Sequence, residues 1–359
     1  MACTIIIAAA GAGKTERLIR EALADPTRRV LITTYTIRNT DEITSRIIKE
    51  RGVIPTNIHV ERWFTFLLRD TIKPYQASFT EPFRTRAIDF NNQRPQYAKR
   101  GTEEYYYDQT ANLYQDTVSD LACLINERAE GKTIRRLEEL YDLILIDEMQ
   151  DLASYDLEFL DLLIDSTLSV IMVGDPRQAT YATSDSPKNK QYRGFGLFNW
   201  IEERRKKGLI AVEHMNWSHR CNHHICNFAD ALFPNQPATQ SLNATTTPHD
   251  GIFFVFQEHL HTYTARFEPM VLRWSRTTIV ASHLQQHAAN IGEVKGCTFD
   301  RVLIYPTQPM LKYLKTKKPD DAGSKERLYV ATTRARHSVA FVITKAFSSP
   351  LATAWHPEK

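Results

Sequence analysis

Residues 8–15 read Ala8-Ala9-Ala10-Gly11-Ala12-Gly13-Lys14-Thr15. Side chains this small let backbone N–H groups turn inward around phosphate oxygens, and the N-terminus of a following helix adds its dipole to the same anion site. Lys14 then supplies a cation for the β and γ phosphates, and Thr15 a hydroxyl for Mg²⁺. The strict phosphate-loop pattern has glycine where Ala8 stands. The plain alternative is a chance Ala/Gly turn. The flanks favour the phosphate loop, because an apolar strand (Thr4 to Ile7) precedes it and a helix (Glu16 to Ala24) follows.

The second chemical feature is Leu145-Ile146-Asp147-Glu148, an apolar strand ending in two carboxylates. Asp147 is placed to bind Mg²⁺, and Glu148 to orient and deprotonate a water. Alone, such a pair reads as a solvated strand end. Together with Lys14 and Thr15 it predicts hydrolysis of a nucleoside triphosphate, ATP with Mg²⁺, and not nucleotide binding alone.

The surrounding pattern must position these groups. Strands expected at Arg29 to Thr34, Leu143 to Ile146 and Val170 to Val173 alternate with helices, one at Asp41 to Arg51, which implies a mostly parallel sheet. From about 69 to 136 the chain is rich in Tyr, Arg, Asn and Gln, and is expected to form a small, mainly helical insertion. Ser184 to Arg193 reads as a loop. A second α/β region has strand candidates at Ile252 to Phe256, Thr278 to Ala281, Val302 to Tyr305 and Val339 to Thr344. The expected domains are 1–195 and 196–359.

The 359 residues suffice for two such domains, each with its own core. A net charge of +3 does not by itself predict a nucleic-acid partner. Five scattered cysteines fit a reducing cytoplasm better than a disulfide framework. No apolar run approaches the ~20 residues of a membrane span, and the apolar start reads as a buried strand instead of a signal peptide.

Further motifs fall in a characteristic order. Asp147-Glu148-Met149-Gln150-Asp151 resembles the DExQD signature of UvrD-like superfamily 1 DNA helicases. Gly174-Asp175-Pro176-Arg177-Gln178, with Tyr181, is similar to that family's third motif. Ser218-His219-Arg220-Cys221 resembles the fourth, Lys295 to Asp300 the fifth, and Tyr329 to Ala335 the sixth. Thr34-Tyr35-Thr36 resembles the motif that follows the phosphate loop. The resemblance covers nearly the whole chain. It implies two RecA-like P-loop NTPase domains with parallel sheets, stepping 3′-to-5′ along single-stranded DNA.

The resemblance also assigns roles. Gln178 senses the γ-phosphate, Arg220 and Arg334 reach it from the second domain, and His219 stands where a tyrosine usually stacks on the base. The sequence departs from the family in four places. Few residues precede the phosphate loop where an adenine-recognition segment usually lies. His219 replaces tyrosine, Gly292 and Thr298 replace a His and a Glu of the fifth motif, and the accessory subdomains are reduced.

Strand binding needs aromatic platforms and cations. Tyr35 and Tyr181 match family positions that contact bases, with Thr36 beside them. Trp63 and Phe64 are further candidates, for which a core role is the equal alternative. Arg38, Arg62 and Arg193 are candidate phosphate partners. Arg204-Arg205-Lys206-Lys207 reads more simply as a solvated helix face. His214, His219, Cys221, His223, His224 and Cys226 crowd together as in a zinc site, but without separated ligand pairs, so buried cysteine and half-exposed histidine is the simpler reading. Two alternatives to a helicase stand. One is a DNA-stimulated NTPase subunit gating a partner nuclease or effector, as in anti-phage defence. The other is a strand binder without catalysis.

Overall fold

A computed structural model describes residues 3–80, 84–180 and 186–357. The chain divides into two units, 1–7 with 14–214, and 8–13 with 215–359.

The first unit carries strands β1 (Cys3–Ala8), β2 (Val30–Thr34), β3 (Ile58–Arg62), β4 (Ile88–Asp89), β5 (Leu113–Tyr114), β6 (Leu143–Ile146), β7 (Ser169–Gly174) and β8 (Ala211–Met215). Its main sheet runs β3-β2-β6-β7-β1-β8. The pairs β3/β2, β2/β6, β6/β7 and β7/β1 are parallel. Apolar runs such as Leu143 to Ile146 are buried on both faces, as helices on either side of a parallel sheet require. Because these strands are parallel, the segments after β1, β6 and β7 all emerge at one edge, the carboxyl edge where α/β sheets bind ligands.

Helix α1 (Lys14–Leu23) follows β1. Helix α2 (Ile37–Arg51) starts four residues earlier than the expected Asp41. The cause is local: the Thr36 hydroxyl accepts from Asn39 N–H at 3.2 Å and caps the helix there. Gly52, at φ 80°, ends it. The 69–136 region carries helix Val118–Arg128 and the start of helix Lys132–Leu140, but 84–102 holds no helix, so it is less helical than expected, and β4 pairs with β5 in a two-stranded ribbon. Val118, Leu121 and Ile125 of this region are buried in one core with Trp63, Phe66 and Phe159, and those three rings pack edge to face or tilted, 5.7–6.3 Å apart.

The second unit holds β9 (Trp217–Ser218), β10 (Gln240–Ser241), β11 (Gly251–Phe256), β12 (Met270–Arg273), β13 (Ala288–Asn290), β14 (Phe299–Ile304), β15 (Ala335–Ile343) and β16 (Thr353–Trp355). Its sheet, β13-β12-β14-β15-β11-β16, is parallel at every pairing. The two six-stranded α/β sheets are consistent with tandem RecA-like domains. One strand expectation fails. Thr278 to Ala281 is not a strand, and Met270–Arg273 takes the place beside β14. Val280 still enters the core, but from a turn.

A buried histidine marks this core. His249 is stacked between Phe253 and Phe267, with ring centroids at 4.1 and 3.9 Å, and its Nε2 lies 2.9 Å from the Tyr263 hydroxyl. Burial, then the Arg301 and Arg266 cations, lower its pKa to about 4. The unfolded chain takes up that proton near 6.5. Between those values the unfolded state binds more protons, so this contribution is whole above about 6.5 and is lost as pH falls toward 4. Denaturant melts at about pH 7 and about pH 5 are expected to show a smaller loss of stability for His249→Phe than for the wild type. Equal losses would assign the acid sensitivity to other groups.

Candidate active site

The first unit brings four predicted residues together at the carboxyl edge of its sheet. Lys14 opens α1 and is only 9% exposed. Its Nζ lies 3.3 Å from Glu148 Oε1. The Thr15 hydroxyl donates to Asp147 Oδ2 at 2.9 Å. Asp147 is buried, and desolvation, then the neighbouring Glu148 carboxylate, push its pKa above the ordinary carboxylate range. A hydroxyl and a buried carboxylate on adjacent elements form an all-oxygen donor set, the kind a hard divalent cation takes. They therefore fit Mg²⁺.

Glu148 sits in the left-handed region, at φ 56°. Its N–H donates to Asp147 Oδ1 at 2.9 Å, and its carbonyl accepts from Asp151 N–H at 3.0 Å. A non-glycine residue held there is strained by about 1–3 kcal/mol, a feature that clusters at functional sites.

Gln178, in the short turn after β7, is buried, and its Nε2 donates to Asp175 Oδ2 at 2.9 Å. The other oxygen, Oδ1, accepts from Arg177 Nε at 2.7 Å. Two further residues belong to this network, both within the quoted motifs but with no role assigned from the sequence. Gln150 links Glu148 to Asp175, and Asp175 organises the turn. The signal was available in the Asp-Glu-x-Gln spacing after β6.

The loop residues Ala8 to Gly13 group with the second unit. Ala9 N–H donates to Met215 O at 2.9 Å, the Ser218 hydroxyl to Ala10 O at 2.7 Å, and His219 N–H to Gly11 O at 3.0 Å. Ala10 N–H reaches the Tyr329 hydroxyl at 3.3 Å, and Ala12 N–H bonds back to Ala9 O. Gly11 needs to be glycine: it has φ 78°, and a Cβ there would lie 2.6 Å from Arg220 Cβ. His219 is exposed.

Arg220 and Arg334 meet at Thr333. Arg220 Nη1 donates to its carbonyl at 3.1 Å, and Arg334 Nη2 to its hydroxyl at 3.3 Å. Arg334 is buried, with Nε on Val330 O at 3.1 Å.

The strand-binding candidates separate by burial. Tyr35, Thr36, Arg62 and Phe64 line one pocket of about 290 Å³ in the first unit, with Phe90 at its wall. Tyr35 packs edge-on to Phe64 at 5.7 Å, and its hydroxyl accepts from Gln115 Nε2 at 3.0 Å. Arg38 is exposed on α2. Arg193 is half-buried and donates to Ser186 O. Trp63 is 1% exposed, and its Nε1 donates to Asp156 Oδ1 at 2.7 Å. Its ring is core and offers no surface to a base, and Phe64, 5% exposed, belongs to the same core. Tyr181 lies outside the described residues.

The remaining patches take their simpler readings, Arg204 excepted. Arg205 pairs with Glu202 at 2.7 Å on the exposed side of its helix, whereas Arg204, only 14% exposed, bridges to Asp161 of the helix Tyr155–Ile164 at 2.6 Å and is not a solvated residue. Among the described residues, no group of three His, Cys, Asp or Glu could hold a metal ion. The Cys221 thiol instead donates to Thr333 O and the Cys226 thiol to Cys221 O. Among the described residues no helix is long and apolar enough to cross a membrane.

The family model of the AAA domain matches residues 1–184, and that of the viral superfamily 1 RNA helicase core domain matches residues 103–343. No curated protein matches the sequence. Among solved structures, the crystal structure of arterivirus nonstructural protein 10 (helicase) is similar with a TM-score of 0.52 and 13% identity, over 95% of this chain and 60% of that one. The PRRSV helicase gives 0.46 and 17%, over 95% and 52%. The arterivirus protein in complex with DNA gives 0.47 and 13%, over 95% and 61%. The chain thus spans between 52% and 61% of the length of these helicases. Two parallel α/β sheets, Lys14 and Thr15 paired with the carboxylates Glu148 and Asp147, and family matches that together run from residue 1 to 343 place this chain in the superfamily 1 helicases, a family of NTP-hydrolysing enzymes, within the family of the viral superfamily 1 RNA helicase core domain.

Proposed function

We propose that this chain is a motor that couples ATP hydrolysis to 3′-to-5′ stepping along single-stranded nucleic acid, DNA being the first substrate to test. The observation that carries the reading is the pairing of Lys14 with Glu148 at 3.3 Å beside the Thr15–Asp147 hydrogen bond. The finer kinship to UvrD-like enzymes rests on the Asp147 to Asp151 and Gly174 to Gln178 motifs.

In this reading Ala8 to Gly13 wrap the phosphates, Lys14 neutralises their charge, and Glu148 takes the proton of the attacking water. Thr15 and Asp147 would hold Mg²⁺, which supplies charge stabilisation on the phosphate oxygens. Gln178 reports the state of the γ-phosphate, and Arg220 and Arg334 stabilise charge on the transferring phosphoryl. His219 contacts the base. Tyr35, Thr36, Arg38, Arg193 and Tyr181 contact the strand.

The test is ATP turnover with and without single-stranded DNA or RNA, alongside strand displacement on tailed duplexes of both polarities. Stimulation with displacement of the duplex tailed for 3′-to-5′ movement supports the reading. Stimulation without displacement makes the chain a translocase or a gated subunit. Absence of hydrolysis leaves a binding module. Tyr35→Ala is expected to weaken single-strand binding by about 1–3 kcal/mol, the worth of one base stacked on an aromatic ring. An unchanged dissociation constant returns Tyr35 to the core.

A further inference from the structure

We propose that Gln150 is a positioning residue that sets Glu148 for water activation and ties it to the turn carrying Gln178. The inference rests on the hydrolytic reading above and goes beyond it by naming the physical link between the two motifs.

Gln150 is 3% exposed and uses both ends of its amide. Its Oε1 accepts from Asp175 N–H at 3.0 Å. Its Nε2 donates to Glu148 Oε2. The orientation of the amide follows from chemistry: a backbone N–H can only donate, so oxygen must face Asp175 and the NH₂ group must face the carboxylate. Glu148 is thereby held from two sides, by the Lys14 ammonium on Oε1 and by the Gln150 amide on Oε2.

The fold is built around this amide. At Gly174 a Cβ would lie 2.5 Å from Gln150 Oε1 and 2.7 Å from Met149 Cγ, so only glycine lets the side chain lie against the end of β7. The next residue, Asp175, divides its carboxylate between Arg177 and Gln178. A shift of Gln178 is therefore transmitted through Asp175 and Gln150 to the carboxylate that activates water. When phosphate draws Lys14 away, the amide continues to restrain Glu148. Gln150 touches no substrate in this scheme and acts through Glu148.

The test uses the full chain with Gln150→Met, which keeps the length and apolar stem but cannot donate to Glu148, and Gln150→Glu, which sets a second carboxylate against it. Steady-state turnover, affinity for a fluorescent ATP analogue and thermal melting are measured together, with and without single-stranded DNA. We expect kcat to fall about 10- to 100-fold, the scale of misplacing a catalytic group by about 1 Å. KM and analogue affinity should stay close to wild type in Gln150→Met, melting temperature should fall by only a few degrees because the buried Asp175 N–H loses its acceptor, and stimulation by the strand should shrink with kcat. Gln150→Glu should be the slower of the two. Turnover by Gln150→Met within twofold of an active wild type overturns the inference alone. So does a parallel loss of kcat, analogue affinity and melting temperature, because that pattern belongs to a structural role. A wild type that binds the analogue without hydrolysing ATP overturns the functional reading, and this inference with it.

Discussion

Lys14→Ala is expected to lower ATP turnover by about 10³-fold or more, the scale lost when a charge-stabilising group is removed from phosphoryl transfer. Lys14 is nearly inaccessible to water, so its attraction for a phosphate is weakly screened. The substitution has a second effect. Glu148 loses the cation 3.3 Å from Oε1 that holds its carboxylate in place. Both effects act on the same step. Turnover measured with saturating strand checks the result, with melting temperature as the control for folding. Undiminished hydrolysis in a folded Lys14→Ala protein would remove the loop from the mechanism.

Glu148→Gln separates binding from chemistry. The amide keeps the size of the side chain but cannot take a proton, so kcat is expected to fall about 10²- to 10⁴-fold, the usual contribution of a general base. Nucleotide affinity should be retained or rise slightly, because loop residues and Lys14 hold the phosphates and one negative charge beside them is gone. The strained backbone at φ 56° places the same demand on either side chain, so melting should change little. Equilibrium binding of an ATP analogue, set beside single-turnover hydrolysis, checks both halves. Equal losses of affinity and rate would mean that Glu148 holds nucleotide and does not activate water.

Much of the first unit was legible because its chemistry is local. The apolar runs of β1, β6 and β7 are short, uninterrupted and followed by motifs whose residue types have one main use. The sequence suggests a later start for α2 because Thr36 falls in the motif after the phosphate loop, whereas in the fold its hydroxyl caps the helix. In the second unit, Thr278 to Ala281 has the β-branched composition of a strand, with Thr, Ile and Val, whereas Met270–Arg273, of the same length, has Val271 alone. Pairing with β14 decided between them, and propensity does not encode partners. The site shows the same division. Lys14, Thr15, Asp147 and Glu148 could be read from spacing, but the burial of Trp63 and the meeting of Arg220 with Arg334 at Thr333 depend on contacts remote in sequence. Gln150 carried a visible motif signal whose meaning appeared only when its amide was found between two other motifs.

With β7 lying between β1 and β6, the tips bearing the lysine loop and the acidic pair stand two inter-strand spacings apart, about 10 Å at the usual separation. That width accommodates a phosphate tail and a coordinated ion, whereas neighbouring strands would leave half as much room. The spacer is not inert, since it ends in the residues proposed to register whether the terminal phosphate is still attached. Gauge and gap therefore come from one strand, and lengthening or shortening β7 by a residue should disturb both at once.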